Sequence, residues 1–149
     1  YRELKPISTE FVPAALAVSG LDRAALEREG AEPGRALADL TAWIKLVCGA
    51  DGRPILVAYP LGFDWMFIYW YLMRFTGQSP FGHSGCLDMK TMYAVKAGVP
   101  VGRSVKRLMP KHLLSDRRHT HHALDDAIEQ AELFVNLSRW RETEGEGST

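Results

Sequence analysis

The segment Ile55-Leu-Val-Ala-Tyr-Pro-Leu-Gly-Phe-Asp64 decides the fold class of this chain. Its first five residues form a short apolar run between Pro54 and Pro60, which is typical of a strand buried on both faces of a parallel sheet. A helical apolar pattern follows over 64–75 and ends before Gly77, a residue that favours helix termination. A buried strand that leads directly into an apolar helix indicates an α/β protein.

The flanking sequence repeats this alternation. A second strand is predicted at Cys86-Leu87, followed by Asp88 as the N-cap of a helix over 89–97 and Gly98 as its end. A last helix is predicted to begin at Ala123. The other predicted helices lie at 10–18, 22–29, 35–47 and 102–109, and a loop is predicted over 110–118.

Length and charge indicate one globular domain. The 149 residues are 46% hydrophobic, which is enough for one sizeable core, and no Pro/Gly/Ser-rich break divides them. We expect the domain to span 1–141 and the acidic, small-residue-rich segment 142–149 to be a disordered tail. Equal numbers of basic and acidic residues, 18 each, exclude a wholly basic nucleic-acid-binding surface. A charged partner must therefore meet a local patch.

The cysteines and the apolar runs indicate a cytoplasmic protein without membrane partners. Cys48 and Cys86 are the only cysteines, no CxxC pair is present, and no signal segment opens the chain. We therefore expect two reduced thiols. The apolar stretch over 55–75 is interrupted by Pro60, Gly62 and Asp64, well short of a membrane span.

Carboxylates occupy two places where chemistry is expected. Asp64 follows the buried strand, at the sheet edge where α/β proteins bind ligands, although a simple N-cap for the next helix would also explain it. Asp125 and Asp126 lie in the first turns of the last helix, about 100° apart around its axis, so they point in different directions. The alternative role for both is a favourable interaction with the helix dipole. The inward face of that helix is predicted from Ala127, Ile128, Ala131, Phe134, Val135 and either Leu137 or Ser138, which places Asp126 nearer the core.

The segment His119-Thr-His-His122 supplies imidazoles directly before that helix. A zinc site is one explanation, but the chain has no second Cys/His cluster at a ligand spacing. A surface loop without a chemical role is another. A histidine just before a metal-binding carboxylate also suits general-base catalysis, since its ordinary pKa is near neutral.

A local basic patch precedes these histidines. Between positions 90 and 118 the basic residues are opposed in sequence only by Asp116. The patch predicts a phosphate-backbone track, with a solvated surface as the alternative. Phe63 and Trp65 are candidates for stacking on a base. The basic residues are Lys90, Lys96, Arg103, Lys106, Arg107, Lys111, Arg117 and Arg118, of which Lys106, Arg107, Arg117 and Arg118 are the candidate nucleic-acid contacts.

Two motifs together resemble a known family. Gly62-Phe63-Asp64 after a strand and His121-His-Ala-Leu-Asp-Asp126 at the start of a helix resemble the second and third motifs of DEDDh, or DnaQ-like, 3′-to-5′ exonucleases. The resemblance extends from Tyr1 to about Trp140. It implies a ribonuclease-H-like three-layer α/β fold, in which helices flank a mixed sheet.

The same resemblance implies the chemistry. It assigns His121 as general base and Asp64 and Asp126 as metal ligands, whereas His119 and His122 do not carry over. Two Mg²⁺ or Mn²⁺ ions held by four acidic residues would activate water and stabilise the leaving oxygen. The substrate would be the 3′ end of single-stranded DNA or RNA, and a homodimer is left open as an assembly state.

The chain departs from the family pattern at two points. The family's first motif, Asp-x-Glu on an opening strand, is absent, and we expect it upstream of Tyr1 with the first strands of the sheet. Tyr59-Pro-Leu-Gly62 also stands where relatives often carry His-Asn before Phe-Asp. We therefore expect the chain by itself to be weakly active at best. A catalytically inactive nucleic-acid-binding module of the same fold is the alternative.

Overall fold

The computed structural model describes residues 1–117 and 120–141. Arg118, His119 and the tail 142–149 lie outside this part, so the predictions made for them are not addressed by it. Three single 3₁₀ turns, at Val101–Arg103, Lys106–Leu108 and Lys111–Leu113, join the last two helices. The regular elements are α1 (Pro13–Ser19), α2 (Arg23–Glu29), α3 (Pro33–Cys48), β1 (Leu56–Ala58), α4 (Leu61–Thr76), β2 (Cys86–Asp88), α5 (Met89–Lys96) and α6 (Ala123–Arg139).

The two strands pair in parallel, which confirms the α/β class. Leu56 lies opposite Cys86 and Ala58 opposite Asp88. The chain crosses from β1 to β2 through α4, and a helical crossover of this kind returns the chain in the same direction. The described residues therefore hold a parallel pair where the family resemblance predicted a mixed sheet. The carboxyl ends of both strands meet at one edge.

Helices cover this strand pair and enclose the main core. α4 contacts β1, β2 and α3, while α5 contacts β2 and α6. No described helix has the length and hydropathy required to cross a membrane. The largest buried cluster lies between α5, α6 and the 3₁₀ turns and consists of Met89, Tyr93, Met109, Leu113, Leu133 and Leu137.

The prediction of a single helix over 102–109 was wrong. Two separate 3₁₀ turns occupy this region, and Ser104 lies between them. The Ser104 side chain is fully buried, and its hydroxyl donates to the Val101 carbonyl at 2.6 Å. A side-chain hydroxyl that binds a nearby carbonyl competes with helical hydrogen bonding, so the chain turns here instead of continuing as a helix.

The predicted inward face of α6 was only partly right. Leu137 is fully buried and Phe134 packs against the core as predicted, but the face is centred on Leu133, which was not predicted. Leu133 and Leu137 are fully buried, whereas Ala127, Ala131 and Val135 are exposed. Leu133 and Leu137 are four residues apart and therefore share one face. That face packs on the core formed with α5. The hydrophobic periodicity of α6 does not by itself show which of its faces packs against another element.

Candidate functional site

Asp64 lies in the first turn of α4, at the carboxyl edge of β1. The helix begins at Leu61, three residues earlier than predicted, with Pro60 at the N-cap position. The interpretation of Asp64 as an N-cap is therefore wrong. Its side chain borders a cavity of about 310 Å³ between β1 and α6. Burial raises the pKa of the Asp64 carboxyl above its ordinary value, which marks a carboxylate held in a partly desolvated place.

α6 forms the opposite wall of this cavity. Its lining residues include Ala127 and Gln130, and the Gln130 Oε1 atom accepts the Tyr59 backbone N–H at 2.7 Å. This bond ties α6 to the end of β1. Asp126 directly precedes Ala127, and its Oδ1 atom is buried from solvent. Asp64 thus borders the cavity, whereas Asp126 lies beside it on α6 and is not among its lining residues.

His121 lies in the turn that leads into α6. Its backbone has a φ of 58°, in the left-handed region, and its side chain is exposed. Thr120, which the sequence did not single out, holds this turn. The Thr120 hydroxyl donates to Asp125 Oδ2 at 2.8 Å, and its Oγ1 accepts the His122 N–H at 3.2 Å. Asp125 is therefore engaged at the outer side of the helix start.

Oxygen donors of the type found here suit Mg²⁺ or Mn²⁺. Carboxylates such as Asp64 and Asp126 are the ligands that hard dications prefer. Within residues 1–117 and 120–141, however, no three His, Cys, Asp or Glu side chains are grouped closely enough to hold a metal ion. The described residues match a dication in donor type but do not supply a three-ligand cluster, for zinc or for magnesium.

Asp88 connects the two strand ends at this edge. Its Oδ1 accepts the Leu61 N–H at 2.8 Å, and its Oδ2 accepts the Thr91 N–H at 2.8 Å and the Thr91 hydroxyl at 2.6 Å. It therefore caps α5, as predicted, and also holds the first residue of α4. Burial opposes ionisation of Asp88, but the hydrogen bonds from Thr91, Leu61 and Lys90 outweigh it and lower the pKa.

Replacing Asp88 with alanine is expected to weaken both the fold and the site. We expect a loss of about 2 kcal/mol in the free energy of unfolding at neutral pH, because two helix starts lose their acceptor. The lowered pKa means that this stabilisation is present above the ordinary value of 3.8 and is lost as pH falls through the native value. Urea unfolding at pH 7 and pH 3 measures both effects.

Asp22→Ala is the matched control. Asp22 caps α2 by accepting the Ala24 and Ala25 N–H groups, away from the cavity. This variant should lose about 1 kcal/mol of stability and keep the activity of the parent. Equal stability of Asp88→Ala and the parent at pH 7 would contradict the linking role of Asp88.

Two cations of the basic patch are paired with carboxylates in the structure. Lys106 Nζ lies 2.6 Å from both carboxylate oxygens of Glu129, and Arg117 Nε lies 2.7 Å from Glu132 Oε1. Both acids lie on α6, beyond the segment 90–118 in which Asp116 is the only acidic residue. Lys106 and Arg117 are therefore paired in the absence of nucleic acid, and their role as phosphate contacts stays a prediction. Arg107 is exposed and forms no ion pair within the described residues.

The two candidate stacking residues differ in position. Phe63 is exposed and meets the Phe67 ring edge at a centroid distance of 5.0 Å. Trp65 points to another side of α4, where it is half-buried and stacked on Tyr69 at 5.1 Å. Phe63 is thus accessible to a base, whereas one face of Trp65 is already occupied.

The chain shares extensive sequence identity with a nuclease. It is 36% identical over 139 residues to an Escherichia coli protein named 3′-5′ DNA exonuclease Cap18. The match spans 93% of this chain and 74% of that protein, so it takes in the segments that carry Asp64 and Asp126. No protein-family model matches the chain.

Proposed function

The chain belongs to the family of the 3′-5′ DNA exonuclease Cap18, and from this premise we propose that it is a metal-dependent 3′-to-5′ exonuclease of the DEDDh type. The observation that carries the proposal is the cavity in which Asp64 of α4 faces residues 127–134 of α6. A carboxylate with a raised pKa at the carboxyl edge of a parallel strand is a common setting for catalysis.

Asp64 and Asp126 are the ligands that this chain would contribute to a site for two Mg²⁺ or Mn²⁺ ions. When bound, such ions supply Lewis-acid activation of water and positive charge at the leaving oxygen. The buried Asp126 Oδ1 and the partly desolvated Asp64 carboxyl are oriented by α6 and α4, so neither side chain depends on a loop for its position.

His121 is the proposed general base. It would take the proton from the attacking water, which requires an imidazole that reaches the substrate without being locked into the core. Its exposed position in the turn before α6 meets this requirement. The Thr120–Asp125 hydrogen bond and the contact between the Tyr1 and His122 rings, 4.7 Å apart, hold the turn on both sides.

The proposal is tested with the gene product that contains this chain and a 5′-labelled single-stranded oligonucleotide, in DNA and RNA forms. We expect products that shorten stepwise from the 3′ end and require Mg²⁺ or Mn²⁺. A substrate blocked at its 3′ terminus should not be cleaved. Cleavage of the blocked substrate, or cleavage that persists in a chelator, would contradict the assignment.

A nucleic-acid-binding module without hydrolysis is the second candidate. The observation that favours it is the lack of a three-ligand metal cluster within the described residues. In that case the oligonucleotide binds and no nucleotide is released at any Mg²⁺ or Mn²⁺ concentration.

Arg107 and Lys106 are expected to differ in their contribution to binding of single-stranded DNA. Arg107→Ala should make the negative slope of log affinity against log salt shallower by about 0.7, the value for one phosphate contact to a single strand. Lys106→Ala should leave the slope unchanged, because Glu129 already neutralises that ammonium group. Fluorescence anisotropy across a salt series measures both. Equal slope changes for the two variants would show that the Lys106–Glu129 pair opens on binding.

A further inference from the structure

One face of α4 presents large apolar side chains to solvent. These residues recur at three- and four-residue steps and therefore form a single stripe along the helix. Other faces of α4 already pack on α3 and on the two strands. Contiguous patches of exposed apolar side chains are typical of interaction sites. The stripe, with the exposed fraction of each side chain, consists of Phe63 (64%), Met66 (57%), Phe67 (49%), Trp70 (49%) and Met73 (43%).

The aromatic rings of this stripe make edge-to-face contacts with neighbouring rings. Phe63 and Phe67 meet at an interplanar angle of 63°. Trp70 meets Tyr71 at 73° and Phe75 at 82°. Such contacts restrain the rings while about half of the surface of Phe67 and of Trp70 stays in solvent. The aromatic rings of the stripe are therefore restrained in orientation while part of their surface stays exposed.

The charge at the far end of the stripe is positive. After Asp64, the only charged residue of α4 is Arg74. Arg74 and Trp70 line a shallow groove of about 420 Å³ together with Lys5. Lys5 is paired with Glu32 at 2.8 Å, which leaves Arg74 as the main cation of this end. Aromatic surfaces beside a guanidinium group are the elements with which proteins hold single-stranded nucleic acid.

The stripe also has a suitable direction and length. It starts at Phe63, next to Asp64, and Trp70 lies seven residues further along the helix. At the α-helical rise this separation is about 10 Å, comparable to roughly three nucleotides stacked about 3.4 Å apart. We propose that the stripe and Arg74 form a stacking track for the single strand upstream of its 3′ end, an inference that rests on the proposed function.

A second copy of the chain is the competing occupant of this face. Self-association would place two identical stripes together, and the stripe contains no carboxylate to pair with Arg74. An anionic strand supplies both a partner for Arg74 and π-surfaces for Phe67 and Trp70. Charge complementarity therefore favours nucleic acid over a homodimer at this face.

The test measures binding without hydrolysis, by fluorescence anisotropy in EDTA with labelled thymidine oligomers of two and twelve nucleotides. The double variant F67A/W70A should bind the twelve-nucleotide probe at least tenfold more weakly, because each lost ring removes a stacking contact. Binding of the dinucleotide should stay unchanged. W70L keeps an apolar side chain but loses one ring, so it should weaken binding of the twelve-nucleotide probe by a smaller factor, with less risk to folding. W43A is the matched control, since Trp43 is 58% exposed on α3 and lies outside the stripe.

Each outcome decides between the occupants. Unchanged binding of the long probe by both F67A/W70A and W70L would overturn the track. Sedimentation velocity showing a parent dimer that W70L converts to a monomer, with binding retained, would assign the face to self-association and likewise overturn it. Length-dependent loss of binding in a protein that releases no nucleotide would support the track and refute only the proposed hydrolysis.

Discussion

Asp64→Asn is expected to abolish nucleotide release while leaving the metal-free protein slightly more stable than the parent. Loss of a carboxylate that helps to hold the dications removes several kcal/mol of transition-state stabilisation, on the order of a thousandfold in rate. The fold keeps its shape because asparagine has nearly the same size. Single-turnover kinetics with a labelled DNA oligonucleotide measures the loss.

The stability change follows from the direction of the Asp64 pKa. Burial raises this pKa, so the native protein disfavours the ionised form and the unfolded chain ionises more readily. The contribution of Asp64 to native stability is therefore highest below the ordinary value of 3.8 and declines as pH rises through the native pKa. Asparagine does not ionise, so the variant should melt at a slightly higher temperature than the parent at pH 7 without metal, and the difference should vanish in acid.

Two observations separate this explanation from a general effect of charge removal. Added Mg²⁺ should raise the melting temperature of the parent and have less effect on Asp64→Asn. Asp39→Asn is the control, because Asp39 is an exposed carboxylate on α3 that pairs with Arg35 at 3.2 Å, away from the cavity. Substantial activity in Asp64→Asn, or the same loss in Asp39→Asn, would refute the assignment of Asp64.

His121→Asn is expected to lower kcat by roughly a hundredfold to ten-thousandfold, the range for loss of a general base. Asparagine is preferred to alanine for this test, since the left-handed backbone at position 121, with its φ of 58°, is tolerated better by asparagine. The turn should therefore survive the change. KM and oligonucleotide binding in EDTA should stay near the parent values, because the base acts in the chemical step.

The neighbouring histidine provides the control for this prediction. His122 is the N-cap residue of α6 and its ring contacts Tyr1, so His122→Asn loosens the turn but removes no proposed base, and it should lower kcat much less than His121→Asn. A similar loss in both variants would indicate that the turn as a whole matters and not the imidazole of His121. Full activity of His121→Asn would remove His121 from the mechanism.

The strand and helix types were predictable because they depend on neighbours in sequence. The apolar run between Pro54 and Pro60 predicted β1, and the structure confirms a strand at Leu56–Ala58. Asp88 was predicted to cap a helix and does so through Thr91. Gly77 was predicted to end α4 and lies at its C-cap with a φ of 70°. In each case the outcome depends on the residue itself and on its close neighbours in sequence.

The roles of charged side chains were not predictable in the same way. The sequence showed Lys106 and Arg117 in a basic run, but the carboxylates that neutralise them lie 23 and 15 residues away. Acidic residues at positions 129 and 132, three apart on a helix, were a usable signal, since they share one face. For Gln130, which joins α6 to Tyr59, the sequence carried no signal.

The sequence by itself determined the α/β class, the elements that carry the candidate site and the chemical types at Asp64, His121 and Asp126. Only the tertiary structure decided which face of α6 is buried, which cations remain open and which aromatic side chains of α4 reach solvent. The physical reason is the range of the interactions. Backbone preferences act within a few residues, whereas burial and ion pairing depend on segments that meet only after the chain has packed.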